Sequence, residues 1–242
     1  MTIIETPWEI ENLGVRSSSR IIFDDCSDDE ETIRSELNKL DADYQEAVVP
    51  MGRVDLIQFL NASGFRFAEV QIRSSVEIDK LVMPKVAMRR LHFYACHEAS
   101  QEEVEQILYT IQYGHIFKTD KIALNPKFGE DIAGRRYANW IKKEISDSRT
   151  KMYVLTSKGT NKGFMVIKHR GNGIVDGLLT GLFDAQKDIG IGYYLGYFLV
   201  QKAKEMGGKK VTATVSSNNL TVLRENEELG YKIQGMSYIM VK

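Results

Sequence analysis

Three alternating segments in a row, joined by tight turns and followed by a glycine-punctuated helix start, constrain this chain more than any other feature. Met152, Val154 and Thr156 fall on one face of a strand, and Gly159-Thr160-Asn161-Lys162 makes a turn. Residues 163–169 pair back, Arg170-Gly171-Asn172-Gly173 turns the chain again, and residues 174–183 form a third strand. Turns this short join antiparallel neighbours. Lys187-Asp188-Ile189-Gly190-Ile191-Gly192 then opens a helix whose buried stripe is Leu195, Phe198, Leu199 and Ala203. Gly207 and Gly208 stop it. Residues 211–215 are a β-branched strand, Asn219 caps a helix running to Leu229, and residues 231–241 form a last strand after Gly230. The tail therefore reads β-β-β-α-β-α-β.

Glycines between a strand and a helix let backbone approach a ligand, and the first helical amides point out unpaired. Together they suit an anion such as a pyrophosphate. Three readings of the turn compete. A dinucleotide-binding turn requires G-x-G-x-x-G, but position 195 is leucine and antiparallel strands precede the turn. A nucleoside triphosphatase loop requires Gly-Lys-Ser/Thr, which is absent. The third reading is a helix start that merely packs closely on a strand, and the turn taken alone favours it.

Upstream, residues 90–97 read as a strand, 101–112 as a helix favoured by Glu102, Glu103 and Glu105 near its start, and 130–146 as a second helix. A loop over 113–129 joins the helices. Met83-Pro84 breaks the pattern and places a boundary between 1–87 and 88–242. The first part holds a strand at 44–49, a helix at 54–62, Ser63-Gly64-Phe65 and a strand at 66–72. That is the β-α-Gly-aromatic-β order of the tail. Either the unit repeats, or any such unit needs a glycine C-cap there; the sequence leaves both open. No glycine turn for phosphate occurs in it, which assigns it an architectural or substrate-covering role.

The tail order, with K-x-x-G-x-G at the third strand's exit and Asn219 followed by Leu229-Gly230-Tyr231, resembles the GNAT acetyltransferase superfamily over roughly residues 90–242. The resemblance implies an α/β mixed sheet of the GNAT acyltransferase fold, with a small N-terminal α/β domain as a degenerate half-repeat. It implies an N-acetyltransferase that uses acetyl-CoA as co-substrate and no metal, the amine attacking the thioester directly. Lys187 to Gly192 and Tyr193 would cradle the coenzyme A pyrophosphate, with Lys187 where the family has Gln or Arg. Leu182 would offer backbone to the pantetheine and thioester, and Asn219 would touch pantetheine, although an N-cap explains Asn219 equally well. The family often has a tyrosine, the acid to the departing thiolate, seven residues after the Asn; here that position is Asn226. Asp176 stands where some members carry a catalytic glutamate, and a solvated carboxylate beside the turn is its other reading.

Within the superfamily, Trp8-Glu9, Leu13-Gly14-Val15 and the run from Phe117 to Trp140-Ile141 resemble the bacterial TDP-fucosamine acetyltransferase group. That group acetylates a nucleotide-linked amino-deoxy sugar. His115, Phe117, Lys118 and Asp120 become acceptor-contact candidates, since the family's loop there lines the acceptor pocket. Other amines (a protein N-terminus, a polyamine, an antibiotic) and a non-catalytic acyl-CoA-binding regulatory module are the competing readings. By the family's example the chain forms a homodimer.

Composition narrows the rest. The 242 residues allow one large domain or a full domain plus a smaller one. A net charge of −1 supplies no overall field toward nucleic acid or an anionic membrane. Residues 1–12 lack a signal-peptide pattern and 189–200 is too short to span a bilayer. The two cysteines, Cys26 and Cys96, make no disulfide framework. A cytoplasmic location follows as the expectation. In a strand Cys96 and His97 point to opposite faces and cannot form a dyad, while His92 and Cys96 share a face but lack a zinc site's further ligands.

Overall fold

Alternating strand and helix periods, punctuated by glycine caps, build the same β-α-β-α-β order at both ends of the chain. The computed structural model describes residues 1–24, 28–184 and 190–242. The first half runs β1 (Thr2–Glu5), α1 (Pro7–Leu13), β2 (Ser18–Ile22), α2 (Glu30–Lys39), β3 (Tyr44–Pro50), α3 (Val54–Ala62) and β4 (Arg66–Glu77). A short helix, α4 (Lys85–Met88), leads to β5 (Tyr94–Glu98), α5 (Gln101–Tyr113) and α6 (Gly129–Glu144). Then come β6 (Thr150–Ser157), β7 (Thr160–Gly171), β8 (Ile174–Leu182), α7 (Gly192–Glu205), β9 (Lys210–Ser216), α8 (Leu220–Glu228) and β10 (Lys232–Val241). The tail order expected from the sequence is present.

All ten strands join one mixed sheet, in the order β1-β2-β3-β10-β4-β9-β8-β7-β6-β5, so hydrogen bonding runs unbroken across residue 87. Two parallel pairs, β2 with β3 and β8 with β9, sit symmetrically about a central antiparallel pair, β4 with β10. The third strands are exchanged between the halves: β4 pairs with β9, and β10 pairs with β3. The glycine caps match too. Gly64 and Gly230 both have φ +91°, and Phe65 N–H and Tyr231 N–H donate to the carbonyls of Leu60 and Asn226, five residues back in each case. Local cap chemistry and a repeated topology thus coincide.

Helices cover both sheet faces, which is why strand positions beyond the expected alternation are apolar. On β6, Met152 and Val154 pack under α5 and α6, whereas Tyr153 and Leu155 pack under α7. Ile33 and Leu37 of α2 and Leu56 and Leu60 of α3 cover Ile21, Ala47 and Val49. A capping box starts α5, with Ser100 Oγ accepting from Glu103 N–H and the Glu103 carboxylate accepting from Ser100 N–H. Residues 91–93 form a 3₁₀ turn instead of strand, so His92 leaves the face of Cys96. Cys96 packs toward α7, and His97 meets Glu103 of α5 at 3.0 Å, as their alternation requires.

The first half is clamped to α6 and to the loop before it by polar contacts. Arg136 pairs with Glu9 at 2.6 Å, Arg135 donates to the Asn12 carbonyl at 2.7 Å, and Lys121 meets Glu46 at 2.9 Å. Among the described residues no helix is long and apolar enough to cross a membrane.

Candidate functional site

One departure from sheet regularity makes the site. β8 pairs with β7 along its whole length, from Gly171↔Ile174 to Gly163↔Leu182. Its parallel partner β9 accompanies it only from Ile174 to Gly177. Beyond that point β9 keeps pairing with β4 as far as Ser216↔Gln71, while residues 178–182 of β8 have no strand on that edge among the described residues. The register slips at the same place: Ile167 faces Gly177 and Val166 faces Leu179, so Leu178 is extra. A bulge bends its strand and raises the local twist, which parts β8 from β9. Bulky neighbours hold the bent segment close, since a Cβ on Gly181 would lie 2.6 Å from the Phe164 ring.

The gap opens into a cleft of about 1410 Å³ that reaches both faces of the sheet. On the α7 side it is lined by Gly192, Leu195, Asn219, Val222, Glu225 and Asn226. Across the sheet it is lined by Asp176, Phe117, Asp120 and Tyr137, and by first-half residues that include Glu46 and Glu69.

At the start of α7, Gly190 has φ +80°, a conformation glycine adopts without strain. Ile191 takes the N-cap position with no side-chain cap, and the ladder begins with Tyr194 and Leu195 donating to its carbonyl. No acidic residue occupies the first turn. The amides ahead of that ladder and the helix dipole favour an anion there. Lys187, Asp188 and Ile189 lie outside the described residues. Tyr193 donates its hydroxyl to Glu228 at 2.8 Å, and Leu182, the last residue of β8, lines the cleft.

Glu225 is the residue the sequence reading missed. A Cβ on Gly192 would stand 2.1 Å from both Glu225 carboxylate oxygens, so this carboxylate rests against the glycine turn itself. Burial, with Glu228 nearby, pushes its pKa up to about 7. The signal was present: Val222, Glu225, Asn226 and Leu229 share one helical stripe, and the charged run Arg224 to Glu228 disguised one inward member. Asn226 is half-buried in the cleft wall. Asn219 does cap α8, accepting from Val222 N–H at 3.3 Å, and it also lines the cleft.

Asp176 lines the cleft on β8 before the strands part, with its oxygens engaged by Arg170 Nε and by the Thr212 hydroxyl. Of the acceptor-loop candidates, Phe117 and Asp120 reach the cleft. The Tyr137 hydroxyl donates to Asp120 at 2.9 Å, and the Phe117 ring lies 4.5 Å from that of Tyr137. His115 turns toward Glu130 and Asp131 at 3.3 and 3.6 Å, and Lys118 is not among the lining residues. Burial raises the Cys96 thiol to about 11, which leaves it a poor nucleophile. No group of three or more His, Cys, Asp or Glu among the described residues could hold a metal ion.

No protein-family model matches the sequence, and no curated protein matches it. Solved structures do. A GCN5-related N-acetyltransferase from Kribbella flavida aligns over 93% of this chain and 81% of its own, with TM-score 0.56 and 16% identity. A tandem GNAT protein from the clavulanic acid biosynthesis pathway aligns over 93% and 74%, with TM-score 0.54 and 12% identity. A conserved protein of unknown function from Staphylococcus epidermidis aligns over 88% and 77%, with TM-score 0.54 and 17% identity. At these identities the likeness is one of fold, and the fold is that of the GNAT acetyltransferases.

Proposed function

We propose that this chain is an acetyl-CoA-dependent N-acetyltransferase acting on a small amine in the cytoplasm. The observation that carries the reading is the parting of β8 from β9 past Gly177, beside a helix start free of acidic residues and side-chain caps. An unpaired strand edge offers backbone donors to an extended amide-bearing chain, and the α7 start offers amides to a diphosphate. Glu225 rests against this turn with its carboxyl pKa pushed up to about 7, so a diphosphate fits there when that carboxyl is protonated or moved aside.

Acetyl-CoA, when bound, would supply an activated acyl carbon to the acceptor nitrogen: the C–N bond forms, the C–S bond breaks, and the amine's proton must leave as the thiolate gains one. The β8 edge at residues 178–182 would orient the thioester and hold its developing oxyanion. Asp176 is the proposed proton acceptor, and to serve it must release Arg170 or Thr212. Asn226 has no proton to give, but its NH₂ can donate a hydrogen bond to sulfur. A thiol with pKa about 8.5 leaves tolerably without an acid.

A nucleotide-linked amino-deoxy sugar, suggested by the resemblance to the TDP-fucosamine group, is the finer form of this proposal. Calorimetry with acetyl-CoA tests the reading directly, followed by thiol release with a panel: an amino sugar, its nucleoside-diphosphate conjugate, a polyamine, an aminoglycoside and a peptide. Uptake and turnover with one of them are expected. Acetyl-CoA uptake without transfer to any would make the chain a binding module, and no uptake at millimolar concentration would end the reading.

A further inference from the structure

Between β4 and β5 the chain passes α7 as a strap, residues 81–94, that the proposed chemistry does not use. Met83 and Ala87 are buried and Leu91 and Tyr94 pack beside them, in the cluster that holds Tyr194, Leu195 and Leu199 of α7. Two hydrogen bonds and a ring stack fix its course. Val82 N–H donates to the Leu229 carbonyl at 3.1 Å, the Tyr194 hydroxyl donates to the Ala87 carbonyl at 3.1 Å, and the rings of Tyr94 and Tyr194 lie 3.8 Å apart.

With its inner side committed to the core, such a strap normally shows polar side chains to water. This one does not. Val82, Val86, Met88 and Phe93 are 57%, 70%, 49% and 48% exposed. Scattered single apolar residues need no explanation, but four within twelve residues of one fixed segment make a patch. The charges are as one-sided. Residues 80–97 hold no aspartate or glutamate, in a chain with 33 of them, and include Lys80, Lys85, Arg89 and Arg90, all exposed. None of these four side chains has an ion pair or hydrogen bond among the described residues. On α4, Lys85 and Arg89 stand one turn apart opposite Ala87, with Val86 and Met88 on either shoulder. Lys158, from the turn between β6 and β7, brings a fifth cation to 5.7 Å from the centre of the Phe93 ring. A whole-chain charge of −1 conceals this local field.

Cations alone would suit any polyanion. Nucleic acid engages them through its phosphates and leaves Val82, Val86 and Met88 in water. An anionic bilayer accepts both kinds of side chain, because its headgroups attract Lys and Arg while the boundary beneath them takes apolar groups. We propose that residues 81–94, with Lys158, form a docking surface for an anionic lipid bilayer, on which the chain lies without spanning it. The proposal stands apart from the acetyltransferase reading and survives that reading's failure.

The test sediments the full chain with vesicles of phosphatidylcholine alone and of phosphatidylcholine and phosphatidylserine mixed three to one. Binding to the acidic vesicles should be at least about tenfold tighter, and roughly 1 M salt, which shortens screening to about 3 Å, should erase the difference. Arg89→Glu and Val86→Asp should each weaken it by about tenfold. Both side chains are exposed, so the melting temperature and acetyl-CoA uptake should stay at the parent's values. Lys142→Glu, the same charge change on the exposed side of α6, should leave vesicle binding unaltered. Equal or absent binding to the two vesicles, indifference to both strap variants, or an equal loss with Lys142→Glu would overturn the proposal. Retention of a single-stranded oligonucleotide without vesicle binding would give the strap to nucleic acid, and a dimer on gel filtration that Val86→Asp dissolves, again without vesicle binding, would give it to a second copy. Loss of acetyl-CoA uptake in Arg89→Glu with vesicle binding intact would assign that cation to the coenzyme's phosphates and overturn the proposal as well.

Discussion

The two halves share a β-α-β-α-β unit and differ at its first strand-to-helix passage. In the first half, β2 stays paired with β3 through all five register positions to Ile22↔Val48, and Phe23 N–H extends the ladder by bonding the Val48 carbonyl. In the second half, β8 abandons β9 after Gly177 and runs on alone to Leu182. The following helices differ in the same sense. α2 opens with Glu30 and Glu31, and Asp29 caps it by accepting from Thr32 N–H, so its dipole is answered within the chain. α7 opens on glycine, with neither cap nor first-turn acid. One topology thus occurs twice: closed and self-satisfied in the first half, open in the second, where we propose that a ligand is received.

Exchange of the third strands makes the halves depend on each other, and this is the comparison's most breakable point. A fragment of residues 88–242 should fail to fold as a soluble monomer, because β9 and β10 would each lose β4, the strand between them. Circular dichroism and gel filtration check it; a cooperative melt from the fragment would show that the second half is self-sufficient. The clamp comes next in size. Arg136→Ala strands Glu9, which is 7% exposed, and should cost about 3–5 kcal/mol in denaturant melts. A loss under about 1 kcal/mol would mean that the pair is screened like a surface pair.

A further substitution separates the open helix start from the closed one. Gly192→Val puts methyl groups where Glu225 lies, and the clash is with the end of a flexible side chain, so the fold should survive. Acetyl-CoA uptake should fall by about a hundredfold or more, since the displaced carboxylate and the new side chain both enter the anion site. Unchanged uptake would move the diphosphate elsewhere and undo the contrast between α2 and α7.

Elements whose signal is local were legible in the sequence. Asn219 as a cap, Gly190 at positive φ, and the turns at Gly159 and Gly173 report backbone needs that neighbouring residues alone decide. The glycine turn and the Asn-helix-Leu-Gly-Tyr unit together gave the fold. Partner choice was not legible, because β4 and β10 carry alternation that suits either neighbour, and their exchange is decided by which half each strand can complete. The far wall of the cleft was hidden for a related reason. Glu46 of β3, Glu69 of β4 and Lys121 of the loop before α6 come from segments far apart in sequence, and nothing in the spacing of any one shows that they converge. His115 was read from the position of its loop, but a positive φ of 48° and two acidic neighbours on α6 turn it aside.

Glu225 gives the sharpest small-scale contrast, because it is an acidic side chain of α8 laid against the open helix start, where α2 carries its own acids and cap. Its pKa in the folded chain is pushed up to about 7, above the usual carboxylate range. A carboxyl raised on folding contributes stability that is fully present below its unfolded pKa and is lost as pH climbs through the folded value. Glu225→Gln should therefore match the parent near pH 4.5 and exceed it at pH 8 by on the order of 2 kcal/mol, a figure reduced for partial exposure. Acetyl-CoA should bind the parent more weakly as pH rises through about 7, since the ionised carboxylate, flanked by Glu228 and the Tyr193 hydroxyl, then opposes the diphosphate. Denaturant melts and calorimetry at pH 6 and pH 8 read both effects. If the glutamine variant keeps the parent's pH dependence in both, Glu225 is not the group that titrates, and the open turn is governed by residues other than this one.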